Sequence, residues 1–192
     1  MPLLNIKEKV MTFKVVYYGA GLCGKTTNLS YIHRQVSPSH RGELISLATE
    51  TERTLYFDFL PLDLGTTNDF KIKLSLYTVP GQSQLIRSRQ LILRGVDAIV
   101  FVADSAPERA EANRESFDDM LANLESHKLK LENIPWVLQF NKRDLINAMP
   151  LKKLYESLNK DHDVPAFESI ATEGKGVFST LREVSKLAIK RI

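Results

Sequence analysis

Residues 19–26 read Gly19-Ala20-Gly21-Leu22-Cys23-Gly24-Lys25-Thr26, which matches the phosphate-loop pattern G-x-x-x-x-G-K-[ST]. Glycines in such a loop let backbone N–H groups wrap a phosphate. The strand-like run 14–18 precedes the loop and a plausible helix follows it, so the loop joins a strand to a helix N-terminus, which also attracts anions. A solvated glycine-rich turn is the alternative, and the strand-loop-helix context argues against it.

Two side chains of this loop have predicted tasks. Lys25 is expected to reach the β and γ phosphates of a nucleotide and so to share in catalysis, and the Thr26 hydroxyl is expected to bind Mg²⁺. Cys23 is interpreted as a small packing residue, with a redox role as the alternative, because the chain has no second cysteine. The predicted nucleotide contacts are Gly19, Gly21, Leu22, Cys23, Gly24, Lys25, Thr26 and Thr27.

Outward from the loop, short apolar runs alternate with longer amphipathic segments. Strands are predicted at 13–18, 55–60, 72–77, 98–103, 136–140 and 166–170, and helices at 25–35, 84–93, 108–125, 151–158 and 177–191. Only the second and third strands lack a helix between them, and the turn-rich residues 63–69 predict an antiparallel hairpin there. We therefore expect an α/β fold with a mostly parallel six-stranded sheet, one antiparallel strand and helices on both faces.

Composition limits the classes of protein that fit. The chain of 192 residues suits one domain, 1–192, and its net charge of +3 is too small to predict nucleic-acid binding. Its apolar runs are strand-sized, and no secretory signal is recognised. Pro2 replaces the glycine of a myristoylation signal, and no cysteine lies near Ile192 for prenylation. A cytoplasmic protein without a direct lipid anchor is expected.

A second polar motif, Asn141-Lys142-Arg143-Asp144, follows the predicted strand 136–140, at the end of the sheet where nucleotides bind in open α/β folds. Asp144 can accept two parallel bonds from the N1–H and exocyclic amine of guanine, donors that adenine lacks, so GTP is favoured over ATP. Lys142 is expected to lay its stem along the base, and Asn141 to bond the base or tie this loop to the phosphate loop. The N–H of Ala171 is expected to bond the guanine carbonyl. A polar turn without a ligand is the alternative.

These motifs together resemble the Ras superfamily of small GTPases, and within it the bacterial MglA branch, which serves gliding motility and cell polarity. The likeness rests on residues 15–19, 22–28, 47–55, 58–62 and 76–82. Thr78 stands where most small GTPases have Asp, and Thr is also what the MglA branch carries. The resemblance implies a Ras-like P-loop GTPase fold, GTP or GDP with Mg²⁺ as ligands, and a molecular switch with slow intrinsic hydrolysis.

The resemblance also implies roles for residues near the γ-phosphate. Thr54 matches the switch-one threonine that binds Mg²⁺ and senses the γ-phosphate. Gln82 matches the glutamine that orients the attacking water, and the Gly81 N–H would contact the γ-phosphate. Arg53 resembles the intrinsic arginine finger of the MglA branch, with a solvated surface arginine as the alternative.

The threonine at position 78 removes the carboxylate that normally holds a Mg²⁺ water, so another acid must hold that water or the ion is bound more weakly. We expect Asp58, on the neighbouring predicted strand, to take over this task, so the predicted metal site is Thr26, Thr54 and Asp58. A carboxylate on the hairpin surface is the alternative, because the sequence alone leaves open which face of the strand Asp58 occupies.

The resemblance implies a roadblock-type MglB homodimer as activating protein, together with an exchange factor and with effectors of motility or polarity that recruit the protein to a cell pole. Switch two departs from the branch, because residues 83–89 lack an aromatic side chain, and the identity of the partners is left open. Two other functions stay open. A GTP-dependent scaffold without useful hydrolysis is disfavoured by Gln82 and Arg53, and an ATP-using P-loop enzyme is disfavoured by Asp144.

Overall fold

A computed structural model describes residues 2–47, 57–81, 85–159 and 162–191. These residues form eight strands and five α-helices. The strands are β1 Leu3–Asn5, β2 Val10–Tyr18, β3 Ile45–Leu47, β4 Phe57–Thr67, β5 Phe70–Thr78, β6 Ala98–Asp104, β7 Trp136–Asn141 and β8 Ala166–Glu168. The helices are α1 Lys25–Gln35, α2 Ile86–Leu93, α3 Ala110–Ser126, α4 Leu151–Leu158 and α5 Val177–Ile189. The predicted α/β alternation is confirmed.

All eight strands belong to one sheet, in the order β3-β4-β5-β2-β6-β7-β8 with β1 paired to β2. The neighbours from β5 to β8 are parallel, and β4 is antiparallel to β5. The expected count of six strands with one antiparallel strand is corrected by β1 and β3, which pair antiparallel to β2 and β4. Each has three residues, all exposed, so neither shows the apolar alternation that marks a strand in a sequence.

The hairpin between β4 and β5 turns later than predicted. β4 continues to Thr67, and the chain reverses at Asn68 and Asp69, which have positive φ angles of 49° and 65°. The register of the two strands shifts between Asp63 and Gly65, so the glycine marks a bulge within the strand. The prediction of a turn at 63–69 began too early because glycine and polar residues are typical of bulges as well as turns.

Helices cover both faces of the sheet, as predicted. Buried residues of α1 and α5, such as Leu29 and Val184, join one apolar cluster, and those of α2, α3 and α4, such as Met120, join another. Neighbouring residues of a strand belong to opposite clusters, since successive side chains point to opposite faces of the sheet. No helix within the described ranges has both the length and the apolar composition needed to cross a bilayer.

Candidate functional site

The predicted nucleotide loops meet at the edge where the parallel strands end. β2 ends at Tyr18 and β7 ends at Asn141, so the phosphate loop, residues 19–26, and the motif 141–144, called the base loop below, leave the sheet on the same side. A cleft of about 820 Å³ lies over the phosphate loop and is also lined by Asp58, Thr78 and Gly81. Its volume lies in the range of small-molecule and cofactor sites.

Two glycines allow the phosphate loop to lie close to the sheet. Gly19 has a φ of 142°, and a Cβ at this position would collide with the carbonyl oxygen of Val102. Gly24 has a φ of 107°, and a Cβ there would collide with the Asn141 side chain. Side chains other than hydrogen are excluded at both positions by backbone conformation and by space. The loop is therefore packed directly against the ends of β6 and β7.

Lys25 lies inside the phosphate loop. Its Nζ donates hydrogen bonds to the carbonyl oxygens of Gly19 (2.8 Å) and Ala20 (2.7 Å), and the residue is buried. Cys23 is fully buried in the cluster beneath α1, which favours the packing interpretation over a redox role. The ammonium group of Lys25 is a buried cation at the first residue of α1, where the helix N-terminus also attracts anions.

Asp58 faces the cleft. Its Oδ2 accepts hydrogen bonds from Thr26 Oγ1 (2.6 Å) and Thr78 Oγ1 (2.8 Å), and its Oδ1 accepts one from Ser46 Oγ (2.7 Å). The residue is only 7% exposed, so a carboxylate on the hairpin surface, the alternative considered for Asp58, is ruled out. The threonine that replaces the usual aspartate therefore contacts the carboxylate expected to stand in for it.

The donors around Asp58 suit a hard cation. Hydroxyl and carboxylate oxygens are the ligands that Mg²⁺ prefers, and Mg²⁺ commonly binds through one or two carboxylates, phosphates and water. The described part of the chain has no group of three or more Asp, Glu, His or Cys side chains that could hold a metal by itself. The hydroxyl and carboxylate oxygens at this edge of the cleft fit a Mg²⁺ ion. Thr54, Arg53 and Gln82 lie outside the described residues.

Ser46 is a contact that sequence reasoning missed. It lies in β3, directly opposite Asp58 in the antiparallel pairing of β3 with β4. A serine in a three-residue exposed strand carries no signal in the sequence, and only the strand register brings it to the carboxylate.

Gly81 packs against Gly21 of the phosphate loop. A Cβ at this position would collide with the backbone of Gly21, so the two segments approach more closely than side chains would permit. The peptide before it is tied to α2, because Arg89 Nη1 donates to the carbonyl oxygen of Pro80 (3.4 Å). The segment that leads to Gln82 is thus anchored at both the phosphate loop and α2.

Arg89 also ties α2 to α3 and to β2. Its Nε lies 2.8 Å from Asp119 Oδ2, and its side chain is almost fully buried. The same carboxylate oxygen accepts a hydrogen bond from the Tyr18 hydroxyl (2.5 Å). Burial raises the pKa of the Tyr18 phenol, and Asp119 adds to the rise, so the phenol stays protonated and donates.

Asn141 ties the base loop to the phosphate loop. Its Nδ2 donates to the carbonyl oxygen of Cys23 (2.8 Å), and its Oδ1 accepts from Ser169 Oγ and from the Ala171 N–H (both 3.0 Å). Of the two roles considered for Asn141, the structure shows the loop-tying one. The Ala171 N–H already has a partner, so a guanine carbonyl would have to share or displace that bond.

Lys142 and Asp144 complete the base loop. Lys142 Nζ donates to Asp104 Oδ2 (2.6 Å), and Asp144 is exposed at the loop surface. Hydrogen bonding to Glu173 raises the pKa of Lys175, and the charge of Asp144 adds to this rise. Asp144 is therefore open to a ligand, with a cation nearby. Sequence reasoning missed Asp104, because a lone acidic residue at a strand end belongs to no motif.

Two comparisons with known proteins accompany this geometry. Residues 3–188 match the sequence profile of the ADP-ribosylation factor family. The chain is 49% identical over 192 residues to the mutual gliding-motility protein MglA of Myxococcus xanthus (strain DK1622), and the match covers 100% of this chain and 98% of the relative.

Proposed function

Because the chain belongs to the ADP-ribosylation factor family and is an MglA-type small GTPase, we propose that its single domain, 1–192, hydrolyses GTP slowly while cycling between GDP and GTP forms. The link between the two nucleotide loops carries this proposal. The Asn141 side chain bonds the phosphate loop at Cys23 and the segment after β8 at Ser169 and Ala171. A ligand that carries phosphates and a guanine base would span these same segments.

Mg²⁺ is proposed as the partner of the bound nucleotide. Thr26 and Thr54 would supply hydroxyl ligands, and Asp58 would hold the ion directly or through water. The contact of Thr26 Oγ1 with Asp58 Oδ2 supports this assignment, because it brings two hard oxygen donors together beside the phosphate loop. When bound, the ion would neutralise charge on the β and γ phosphates.

Catalysis is proposed to depend on residues that act late in the cycle. Lys25 would place its positive charge on the β and γ phosphates, Gln82 would orient the attacking water, and Arg53 would stabilise the developing charge. Gly81 supports this arrangement by bringing the segment before Gln82 onto the phosphate loop. A roadblock-type MglB-like homodimer is proposed to move Gln82 and Arg53 into position, since a switch needs slow hydrolysis until a partner binds.

The biological setting is proposed from the relative. Its name links that protein to gliding motility. We propose that the GTP form of this chain likewise engages effectors of cell polarity or motility, that an exchange factor reloads it, and that such partners bring it from the cytoplasm to a cell pole.

Competition binding tests the nucleotide assignment. GTP and GDP should displace a fluorescent guanine nucleotide from the purified protein, and ATP should not. Asp144→Asn should weaken GTP binding by about 10²-fold, because a charge-assisted bidentate pair is lost. Glu132→Gln, which changes an exposed carboxylate outside the motifs, is the control and should leave affinity within about twofold. Equal competition by ATP and GTP would contradict guanine recognition.

A further inference from the structure

Asp104, the last residue of β6, is a buried carboxylate between the two nucleotide loops. Its Oδ1 accepts a hydrogen bond from the Ala106 N–H (3.0 Å), and its Oδ2 accepts one from Lys142 Nζ (2.6 Å). The Nε of Arg109 lies 3.9 Å from the same Oδ2. A buried carboxylate requires cationic or hydrogen-bonding partners, and Asp104 Oδ2 faces both cations, with Lys142 as the closer contact.

Arg109 extends this contact to the phosphate loop. It ends the 3₁₀ turn Pro107–Arg109 that precedes α3, and its Nη2 donates a hydrogen bond of 2.7 Å to the carbonyl oxygen of Gly21. Its guanidinium lines the cleft, and its side chain is about one-third exposed. Arg109 thus contacts the phosphate loop through Nη2, and its Nε faces Asp104, the carboxylate that bonds Lys142 of the base loop.

We propose that Arg109, acting through Asp104, couples the phosphate loop to the base loop and slows the release of bound nucleotide. This inference rests on the proposed nucleotide binding and goes beyond it, because it assigns a positioning residue outside the motifs. The bond to Gly21 fixes one peptide of the loop, so that its N–H groups keep their orientation toward a phosphate. Lys142, which shares the carboxylate oxygen, fixes the loop that reads the base.

The shared carboxylate predicts a specific form of coupling. Arg109 and Lys142 both lie against Asp104 Oδ2, so losing one cation should change how strongly the carboxylate holds the other. Two residues that acted independently would show multiplicative effects on release. Residues of one network show an interaction instead.

Release of N-methylanthraniloyl-GDP from the full-length protein, chased with excess GDP, tests the proposal. Arg109→Ala should speed release by about 10- to 100-fold, since a charge-assisted hydrogen bond to the loop is lost. Arg109→Lys keeps the charge but loses the planar fork, so its rate should lie between those of the wild type and the alanine variant. Arg114→Ala is the matched control, because Arg114 is an exposed arginine of α3 that pairs with Glu111, and its rate should stay within about twofold.

A double-mutant cycle tests the role of Asp104. The effect of Arg109→Ala combined with Lys142→Ala should differ from the product of the single effects by about threefold or more. Asp104→Asn should reduce that difference. Unfolding in urea without nucleotide shows whether a variant has only weakened the fold, and Arg109→Lys keeps the test available if the alanine variant does not fold.

Unchanged release in Arg109→Ala, with normal binding by the wild type, would overturn this inference alone. Multiplicative effects in the cycle would overturn the coupling through Asp104. Failure of the wild type to bind N-methylanthraniloyl-GDP would overturn the proposed function and this inference with it.

Discussion

The proposed base side of the site, around Asn141, and the proposed metal side, around Asp58, are held by different kinds of contact. On the base side, Asn141 bonds two backbone groups, the Cys23 carbonyl and the Ala171 N–H, and only one hydroxyl, that of Ser169. On the metal side, the Asp58 side chain is bonded by three hydroxyls, those of Ser46, Thr26 and Thr78. Backbone groups in a packed loop cannot reorient, whereas a hydroxyl can rotate to a new partner such as a cation. We infer that the base side is a fixed frame and that the metal side rearranges with the nucleotide.

The largest expected effect separates turnover from binding. Gln82→Ala or Arg53→Ala should lower the partner-stimulated rate of GTP hydrolysis by roughly 10²- to 10⁵-fold, because each acts on the transition state. Affinities for GTP and GDP should change little, and the double variant should lose little more than either single one. Single-turnover hydrolysis with saturating partner measures this. Full stimulated turnover in Arg53→Ala would show that the arginine finger comes from elsewhere.

Removing the base-side tie should damage the fold itself. Asn141→Ala leaves the Cys23 carbonyl and the Ala171 N–H without their partner, so the free energy of unfolding should fall by about 3 kcal/mol. Urea unfolding without nucleotide provides the measurement. Asn147→Ala, an exposed asparagine further along the same loop, should change stability by less than about 0.5 kcal/mol. Equal losses in the free energy of unfolding of both variants would contradict the special role of Asn141 in holding the base side.

A change on the metal side should alter the Mg²⁺ requirement for nucleotide binding more than the stability against denaturant. Asp58→Asn removes the charge but keeps the shape, so the Mg²⁺ concentration needed for tight GDP binding should rise about tenfold. Titrating Mg²⁺ into the GDP complex while following nucleotide release measures the shift. Asp69→Asn, at the exposed tip of the same hairpin, is the control. A Mg²⁺ requirement unchanged by Asp58→Asn would return the carboxylate to a purely structural role.

The smallest effect concerns Thr78. Its hydroxyl donates to Asp58 Oδ2 and accepts from the Asp58 N–H (2.8 Å), so Thr78→Val leaves that buried N–H without a partner. We expect a loss of about 1 kcal/mol in the free energy of unfolding. Thr78→Ser keeps the hydroxyl and should recover most of the loss. Thermal or urea unfolding compares the two, and an equal loss in both would contradict the assignment of the effect to the hydroxyl.

The sequence was most informative where one local pattern determines structure. α1 and α4 occupy the predicted ranges, because amphipathic periodicity is a local property. β3 could not be predicted, since three exposed residues become a strand only by pairing with β4.

The same distinction holds for the site. The phosphate loop was recognised from consecutive residues, whereas the contact of Arg109 with Gly21 joins residues 88 positions apart and belongs to no motif. We expected the Ala171 N–H to bond a guanine carbonyl. Its bond to Asn141 was not predicted, because a backbone N–H has no sequence signature for its partner.

Hydrogen exchange in two nucleotide states tests whether the base side stays fixed while the metal side rearranges. The full-length protein would be compared with GDP and with a slowly hydrolysed GTP analogue, each with Mg²⁺. Exchange is expected to change in residues 44–47, 57–67, 78–81 and 85–93 and to stay the same in residues 141–145 and 169–172. Changes of similar size in the two base-side segments would contradict it.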